Sequence, residues 1–174
     1  MKKVIHAAMF AAQKHKDQRR KDESASPYIN HPLALAHILA NECQILDEDV
    51  LSAALLHDTI EDTQTTEVEI LEQFGARVLG IVKEVTDDKS LPKPVRKRLQ
   101  IEHAAHLSYE AKLIKLADKI CNLRDMAINP PADWSLSRRI EYYDWAKDVV
   151  EGLRGAHPPL EDLFDQAYKA RPHN

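Results

Sequence analysis

Apolar residues return every three to four positions along almost the whole chain, which is the period of a helix and not of a strand. Val4, Ala7, Ala8, Ala11 and Ala12 predict a first helix over about residues 2–16. Pro32 suits the start of a second, running to about residue 40, because the N–H that proline lacks is unpaired there in any helix. Asp47 is a candidate N-cap for a third helix over about 47–58. Thr65 or Thr66 can cap a short helix that stops near Phe74-Gly75, since glycine is favoured just past a helix end. Val78, Leu79, Ile81, Val82 and Val85 mark the next helix. Residues 86–94, with Pro92 and Pro94, read as a loop, and the helical pattern resumes over about 95–106. Ser108 can open a long helix carrying Leu113, Ile114, Leu116, Ala117, Ile120, Leu123 and Met126, which Asn129-Pro130-Pro131 ends. Residues 135–153, then a segment from Pro158 to about Ala170, complete the set. No segment alternates and none repeats, and four glycines leave no phosphate-binding loop. The expectation is an all-α fold in a single domain, 1–174, with no dividing linker.

Composition narrows the class. A hydrophobic fraction of 44% supports a sizeable core, and a charged fraction of 30% suits a water-facing surface. No apolar run approaches the ~20 residues that span a bilayer, and Met1-Lys2-Lys3 does not lead into a signal-like segment. No membrane association is expected, and the setting expected is the cytoplasm. Cys43 and Cys121 are the only cysteines; both are expected inside helices as core thiols, as suits a reducing compartment. The net charge of -4 speaks against a general nucleic-acid binder. Charge is uneven, however. Lys14, Lys16, Arg19, Arg20 and Lys21 form one basic group, and Lys93, Arg96, Lys97 and Arg98 another. Each is either a solvated patch or a surface facing an anion.

The most concentrated chemistry lies in Leu55-Leu56-His57-Asp58-Thr59-Ile60-Glu61-Asp62, where an apolar segment delivers four ionisable side chains within six residues. Burying such groups is costly unless they are paired or bind a metal. His31, near the start of the preceding helix, and Asp118, in the apolar stretch Ile114 to Ile120, are candidate partners. Two imidazoles and two carboxylates suit manganese, iron or zinc better than calcium or magnesium. They leave positions for a water that the metal makes more acidic. Glu61 and Asp62 remain nearby to position that water or to move protons. A buried histidine is also commonly satisfied by one hydrogen bond, and a helix-borne aspartate by a lysine, here Lys115 or Lys119. Spacing alone leaves both readings open.

His57-Asp58-Thr59-Ile60-Glu61-Asp62, with His31 upstream and Asp118 downstream, resembles the HD-domain phosphohydrolases, and more narrowly the hydrolase domain of the RelA/SpoT family. Further segments carry the likeness in order: Gln18-Arg19-Arg20-Lys21, Pro27-Tyr28-Ile29-Asn30-His31-Pro32, Phe74-Gly75, Glu84-Val85-Thr86-Asp87-Asp88-Lys89, and Lys115-Leu116-Ala117-Asp118-Lys119 leading into Asn122-Leu123-Arg124. The resemblance covers nearly the whole chain. The length leaves room for the hydrolase alone, so the chain is similar to stand-alone small alarmone hydrolases such as the SpoT homologues of animals. Trp134, Tyr142 and Trp145 strengthen that narrower likeness.

The resemblance implies a compact multi-helix HD-domain fold and metal-dependent removal of pyrophosphate from the 3′ position of ppGpp or pppGpp. It implies His31, His57, Asp58 and Asp118 as ligands of one Mn²⁺, and Glu61 and Asp62 as the acidic catalytic pair. Arg20, Lys21 and Asn122 are implied as substrate contacts, with Arg138 and Tyr142 as further ones. The partner expected is the small nucleotide, with no nucleic acid and no membrane; the oligomeric state is open. Two other readings remain: hydrolysis of NADPH at its 2′ phosphate or of another nucleotide, and a non-catalytic sensor or RNA module using Lys93 to Arg98. The presence of both Glu61 and Asp62 speaks against the last.

Overall fold

The computed structural model describes residues 1–173; Asn174, the end of the expected domain, lies outside them. Among the described residues there is no β-strand, only an isolated bridge between Arg19 and Pro27. The helices are α1 (Lys2–Lys14), α2 (Asn30–His37), α3 (Glu48–Leu56), α4 (Thr59–Asp62), α5 (Glu67–Phe74), α6 (Ala76–Val85), α7 (Lys93–His103), α8 (Tyr109–Ile128), α9 (Leu136–Glu151) and α10 (Pro158–Tyr168). None is long and apolar enough to cross a membrane.

The caps explain most of the boundaries. Asp47 accepts from the backbone of Asp49 and Val50 at the head of α3. Thr66 and Glu69 form a reciprocal capping box on α5. Ser108 and Ser135 cap α8 and α9. Gly75 has φ 90°, which a residue with a Cβ rarely adopts, and this lets α5 turn directly into α6.

α3 and α8 carry the interior. Every residue of α3 from Val50 to Leu56 is buried, packed against α1, α2 and α6. α8 buries Leu113, Ile114, Leu116, Ile120 and Leu123, and lies against α2, α6, α9 and α10. Each such side chain contributes roughly 1.5–3 kcal/mol of burial free energy. The site is therefore built on the two most firmly packed helices.

The structure departs from the expected boundaries in several places. α1 ends at Lys14, and α2 begins at Asn30, two residues before Pro32. α2 then widens into a π-helical turn, Ile38–Glu42, so Cys43 follows the helical segment instead of lying within it. Lys93 and Pro94 belong to α7, which closes in a 3₁₀ turn, Ala104–His106. The most consequential difference is that α3 stops at Leu56, leaving His57 and Asp58 at a break before α4. Side chains take up the carbonyls there: His57 Nδ1 donates to the Ala54 oxygen at 2.8 Å and Thr59 Oγ1 to that of Leu56 at 2.7 Å.

Candidate metal centre and nucleotide cleft

The break in α3, the start of α2 and the middle of α8 converge. Ring nitrogens of His31 and His57 and a carboxylate oxygen of Asp118 all lie within 4.8 Å of one another. Asp58 stands outside that tightest group but beside it: its Oδ2 is 2.9 Å from His57 Nε2 and 3.9 Å from His31 Nε2. Asp118 Oδ1 is 3.2 Å from His31 Nε2. Both histidines are buried. The residue types, their burial and their approach make a mixed nitrogen and oxygen donor set.

Several contacts prepare these donors for a cation. Because His57 Nδ1–H is committed to Ala54, Nε2 is the nitrogen turned to the cluster, and a cation there would displace its proton and take its lone pair. That Nε2 is buried and has no partner in hydrogen-bond geometry among the described residues. Burial opposes a charge on His57, but the carboxylates of Asp58 and Asp118 outweigh it and raise its pKa to about 9. The same negative potential attracts a metal ion. Burial likewise opposes charge on Asp118, yet the Lys119 ammonium and the His31 contact hold its carboxyl well below the usual range. Lys119 Nζ reaches Asp118 Oδ2 at 3.0 Å, and Asn122 Nδ2 donates to Oδ1 at 2.7 Å. The Tyr28 hydroxyl donates to Asp58 Oδ2, and burial together with the Asp58 charge keeps that phenol protonated.

Glu61 and Asp62, on α4, line the same cavity of about 200 Å³ as the donors. Burial raises the pKa of Glu61 above that of an ordinary glutamic acid, despite the Asp87 N–H that donates to its Oε2 at 3.1 Å. Arg96 approaches its other oxygen at 3.4 Å. Asp62 is held differently. Gln18 Nε2 donates to its Oδ2 at 3.0 Å and Lys89 to its Oδ1. Gln18 is itself fixed by the buried His15, whose Nδ1 lies 2.6 Å from Gln18 Oε1.

The donor cavity shares Arg20, Tyr28, His31, Asp62 and Asn122 with a larger one of about 700 Å³. Arg20 reaches it because residues 18–28 fold back on themselves, with Arg20 N donating to the Ser26 oxygen and Tyr28 N to that of Gln18. The Arg20 guanidinium pairs with Asp125 at 2.5 Å. Lys21 lines the large cavity only, with an exposed side chain. Tyr142 lines the large cavity and a third of about 320 Å³, where Arg138 meets Lys93, Arg96 and Lys97. Arg138 is thus separated from the donor set and lies over the Trp134 ring at 4.3 Å. The second basic group divides: three of its members face this third cavity, while Arg98 turns to Glu102.

The residues singled out from sequence therefore do assemble, apart from Lys21 and Arg138 at the periphery. The contacts of Gln18, Tyr28, Lys89 and His15 were not anticipated as roles, whereas Lys119 pairs with Asp118 as one of the two lysines suggested for it. Gln18, Tyr28 and Lys89 lie inside the segments that carried the family likeness, and that was their one available signal.

A family model described as an HD domain matches residues 7–141. The chain belongs to the HD-domain family. Within it, this HD-domain protein groups with RelA/SpoT relatives. It is 58% identical over 165 residues to the guanosine-3′,5′-bis(diphosphate) 3′-pyrophosphohydrolase MESH1 of Xenopus tropicalis, covering 95% of this chain and 92% of that one. It is 54% identical to the Homo sapiens protein of the same description, covering 97% and 94%. A GTP pyrophosphokinase rsh of Brucella melitensis is 38% identical over 94% of this chain, a stretch that makes up 22% of the longer protein. A solved structure described as a metazoan orthologue of SpoT that hydrolyses ppGpp superposes with a TM-score of 0.94 at 51% identity, covering 97% of this chain and 95% of that one. Membership of the family implies a divalent metal, and the His31, His57 and Asp118 grouping fits one.

Proposed function

We propose that the chain is a guanosine-3′,5′-bis(diphosphate) 3′-pyrophosphohydrolase, converting ppGpp or pppGpp and one water into GDP or GTP plus pyrophosphate. One observation carries this reading: the buried imidazole and carboxylate donors open directly onto a cavity of about 700 Å³ rimmed by Arg20 and Lys21. Relatives of more than half identical sequence, matched over nearly their whole length, bear that activity in their descriptions.

In this reading His31, His57, Asp58 and Asp118 hold one divalent cation, and two imidazoles favour manganese over magnesium or calcium. Such a cation, when bound, makes a water nucleophilic near neutral pH and draws charge from a phosphoryl oxygen. Glu61, whose burial strengthens its hold on a proton, takes up the proton released as water attacks phosphorus. Asp62, braced by Gln18 and Lys89, orients the water. The bond from phosphorus to the ribose 3′ oxygen breaks, pyrophosphate departs, and that oxygen receives the proton Glu61 took from the water. The Arg20 guanidinium lies flat against the purine, and Lys21 offers a compact charge to phosphate. Asn122 joins the donor end to the purine end. Arg138, Tyr142 and the α7 lysines receive phosphates at the far side of the cleft. The buried free thiols Cys43 and Cys121 suit a cytoplasmic setting.

Product analysis tests this. Folded protein stripped of metal is incubated with ppGpp, and in parallel with NADPH, with and without added Mn²⁺. GDP and intact pyrophosphate, formed only with metal, are expected. Recovery of unchanged ppGpp after long incubation would sink the proposal, and phosphate release from NADPH alone would move it to the other substrate.

A further inference from the structure

His31 is pinned on nearly every side. Its ring meets those of Tyr28 and His57 edge-on at 5.9 Å and 5.2 Å. Its Nε2 faces Asp118. The opposite nitrogen, Nδ1, lies 3.4 Å from Cys121 Sγ, with both side chains buried. Among the described residues that sulfur is the one hydrogen-bond partner of Nδ1. The register of α8 makes this possible, since Cys121 follows Asp118 by three residues and so shares its face of the helix.

A histidine that offers Nε2 to a cation keeps its proton on Nδ1. In metal sites that proton normally goes to a carboxylate, a carbonyl or a water, which orients the ring and raises its basicity. Sulfur is a weaker acceptor than any of these. The thiol has a further neighbour: the Asp125 carboxylate lies within 4.8 Å of both it and the His31 ring nitrogen, and is paired with Arg20 at 2.5 Å. Cys121 therefore stands between the donor cluster and the ion pair at the large cavity, able to accept from His31 while turning its own proton toward Asp125.

We infer that Cys121 is a positioning residue for His31: its sulfur accepts the Nδ1 proton, fixes the tautomer and direction of the ring, and so sets how tightly the chain holds its divalent cation. This rests on the proposed role of His31 as a ligand, and the test separates the two. Metal-free full-length protein, native and with His31→Ala, Cys121→Ala or Cys121→Ser, is titrated with Mn²⁺ by calorimetry. The visible absorption of the Co²⁺-loaded forms is recorded, and metal-free melting checks folding.

Loss of the outer partner of a metal-binding histidine typically costs ~10–100-fold in affinity, so Cys121→Ala is expected to weaken Mn²⁺ binding about tenfold and to shift the Co²⁺ bands. Cys121→Ser, which restores an acceptor, is expected to stay within about threefold of native. His31→Ala is expected to lose binding almost entirely. Native-like binding by His31→Ala would overturn the ligand role and the inference with it. Loss in His31→Ala beside native-like binding and spectrum in Cys121→Ala would overturn the inference alone. A serine variant as weak as the alanine one would show packing, not the hydrogen bond, and also overturns it. Should Cys121→Ala fail to fold, the serine variant decides: affinity within about threefold of native with shifted Co²⁺ bands supports the inference, while a larger loss or an unchanged spectrum overturns it.

Discussion

Asp62 and Tyr28 show how few residues are needed to hold a carboxylate in place at this site. Asp62 has its two oxygens taken by different donors, Gln18 and Lys89, from two loops far apart in the chain. Its backbone N–H bonds the Asp58 carbonyl at 2.8 Å, but its carboxylate hydrogen-bonds none of the donor side chains. In the proposed mechanism Asp62→Ala is therefore expected to lower turnover by ~10²-fold or more, the usual cost of misplacing a reacting group, while Mn²⁺ stoichiometry by elemental analysis stays native. Turnover equal to native would remove Asp62 from the mechanism. Tyr28 acts on Asp58 instead. Burial works against the Asp58 charge, His57 and then His31 outweigh it, and the carboxyl ends far below its ordinary pKa; the phenol donates to that same carboxylate. Tyr28→Phe deletes one hydrogen bond to a charged group, a loss of about 1.5–3 kcal/mol. Metal-free melting should register this as a drop of several degrees; an unchanged melting temperature would mean that water takes over the contact. The donors were legible as residue types in the sequence, because an aspartate among Leu116, Ala117 and Ile120 is conspicuous. Their supporting contacts were not, since a glutamine or tyrosine in a loop has no pattern that says what it will touch.

At the scale of elements, what is local is legible and what is not local is hidden. Asp47, Thr66, Gly75, Ser108 and Ser135 act on backbone within a few residues of themselves, and each helix boundary they suggest is observed. The end of α3 is different. Whether Thr59 continues a helix or interrupts one depends on Leu56 and Ala54 carbonyls finding side-chain donors, and on what the convergence with α2 and α8 demands of His57. The π-helical turn after α2 is likewise invisible to a period of 3.6. Arg77 on α6 illustrates a tie between elements. It bonds Asp47 and Asp49 of the α3 head and Glu110 of α8. Hydrogen bonding to Arg77 lowers the pKa of Asp47, and bonding to Lys3 and Arg77 outweighs burial to lower that of Asp49. Carboxyls depressed in the folded state add stability that is present above their unfolded pKa of about 3.9 and fades as pH falls through the folded value. Arg77→Met should therefore cost most near neutral pH. The gap in melting temperature from native should close below about pH 4; a gap independent of pH would show that Arg77 acts through packing instead.

Across the whole molecule, α3 and α8 form a frame on which the other helices are hung, and close approaches at its edges are sensitive. A Cβ on Gly152, just past α9, would meet Ala104 Cβ at 2.7 Å and Ala105 N at 3.2 Å. Gly152→Ala must push the turn after α7 outward, and overpacking of this kind costs about 1–3 kcal/mol. Urea denaturation is expected to show that loss with m unchanged; a native midpoint would mean the turn yields freely. The all-α architecture could be read from hydrophobic spacing, while the meeting of residues 31, 57 and 118 could not, because contacts between distant segments follow from packing. α8 has one more property at this scale. It presents Asp118 to the donor cluster, Asn122 to the boundary between the two cavities, and Asp125 to Arg20. At ~1.5 Å per residue these three span about 10 Å along a rigid axis. In the proposed reading the helix works as a ruler laid beside the cleft, with the reacting end of the nucleotide at one mark and its base at another. A single residue inserted between those marks would turn one end by about 100° relative to the other. If the proposed nucleotide binds as described, the distance it must bridge from phosphate to purine is set by the pitch of one helix.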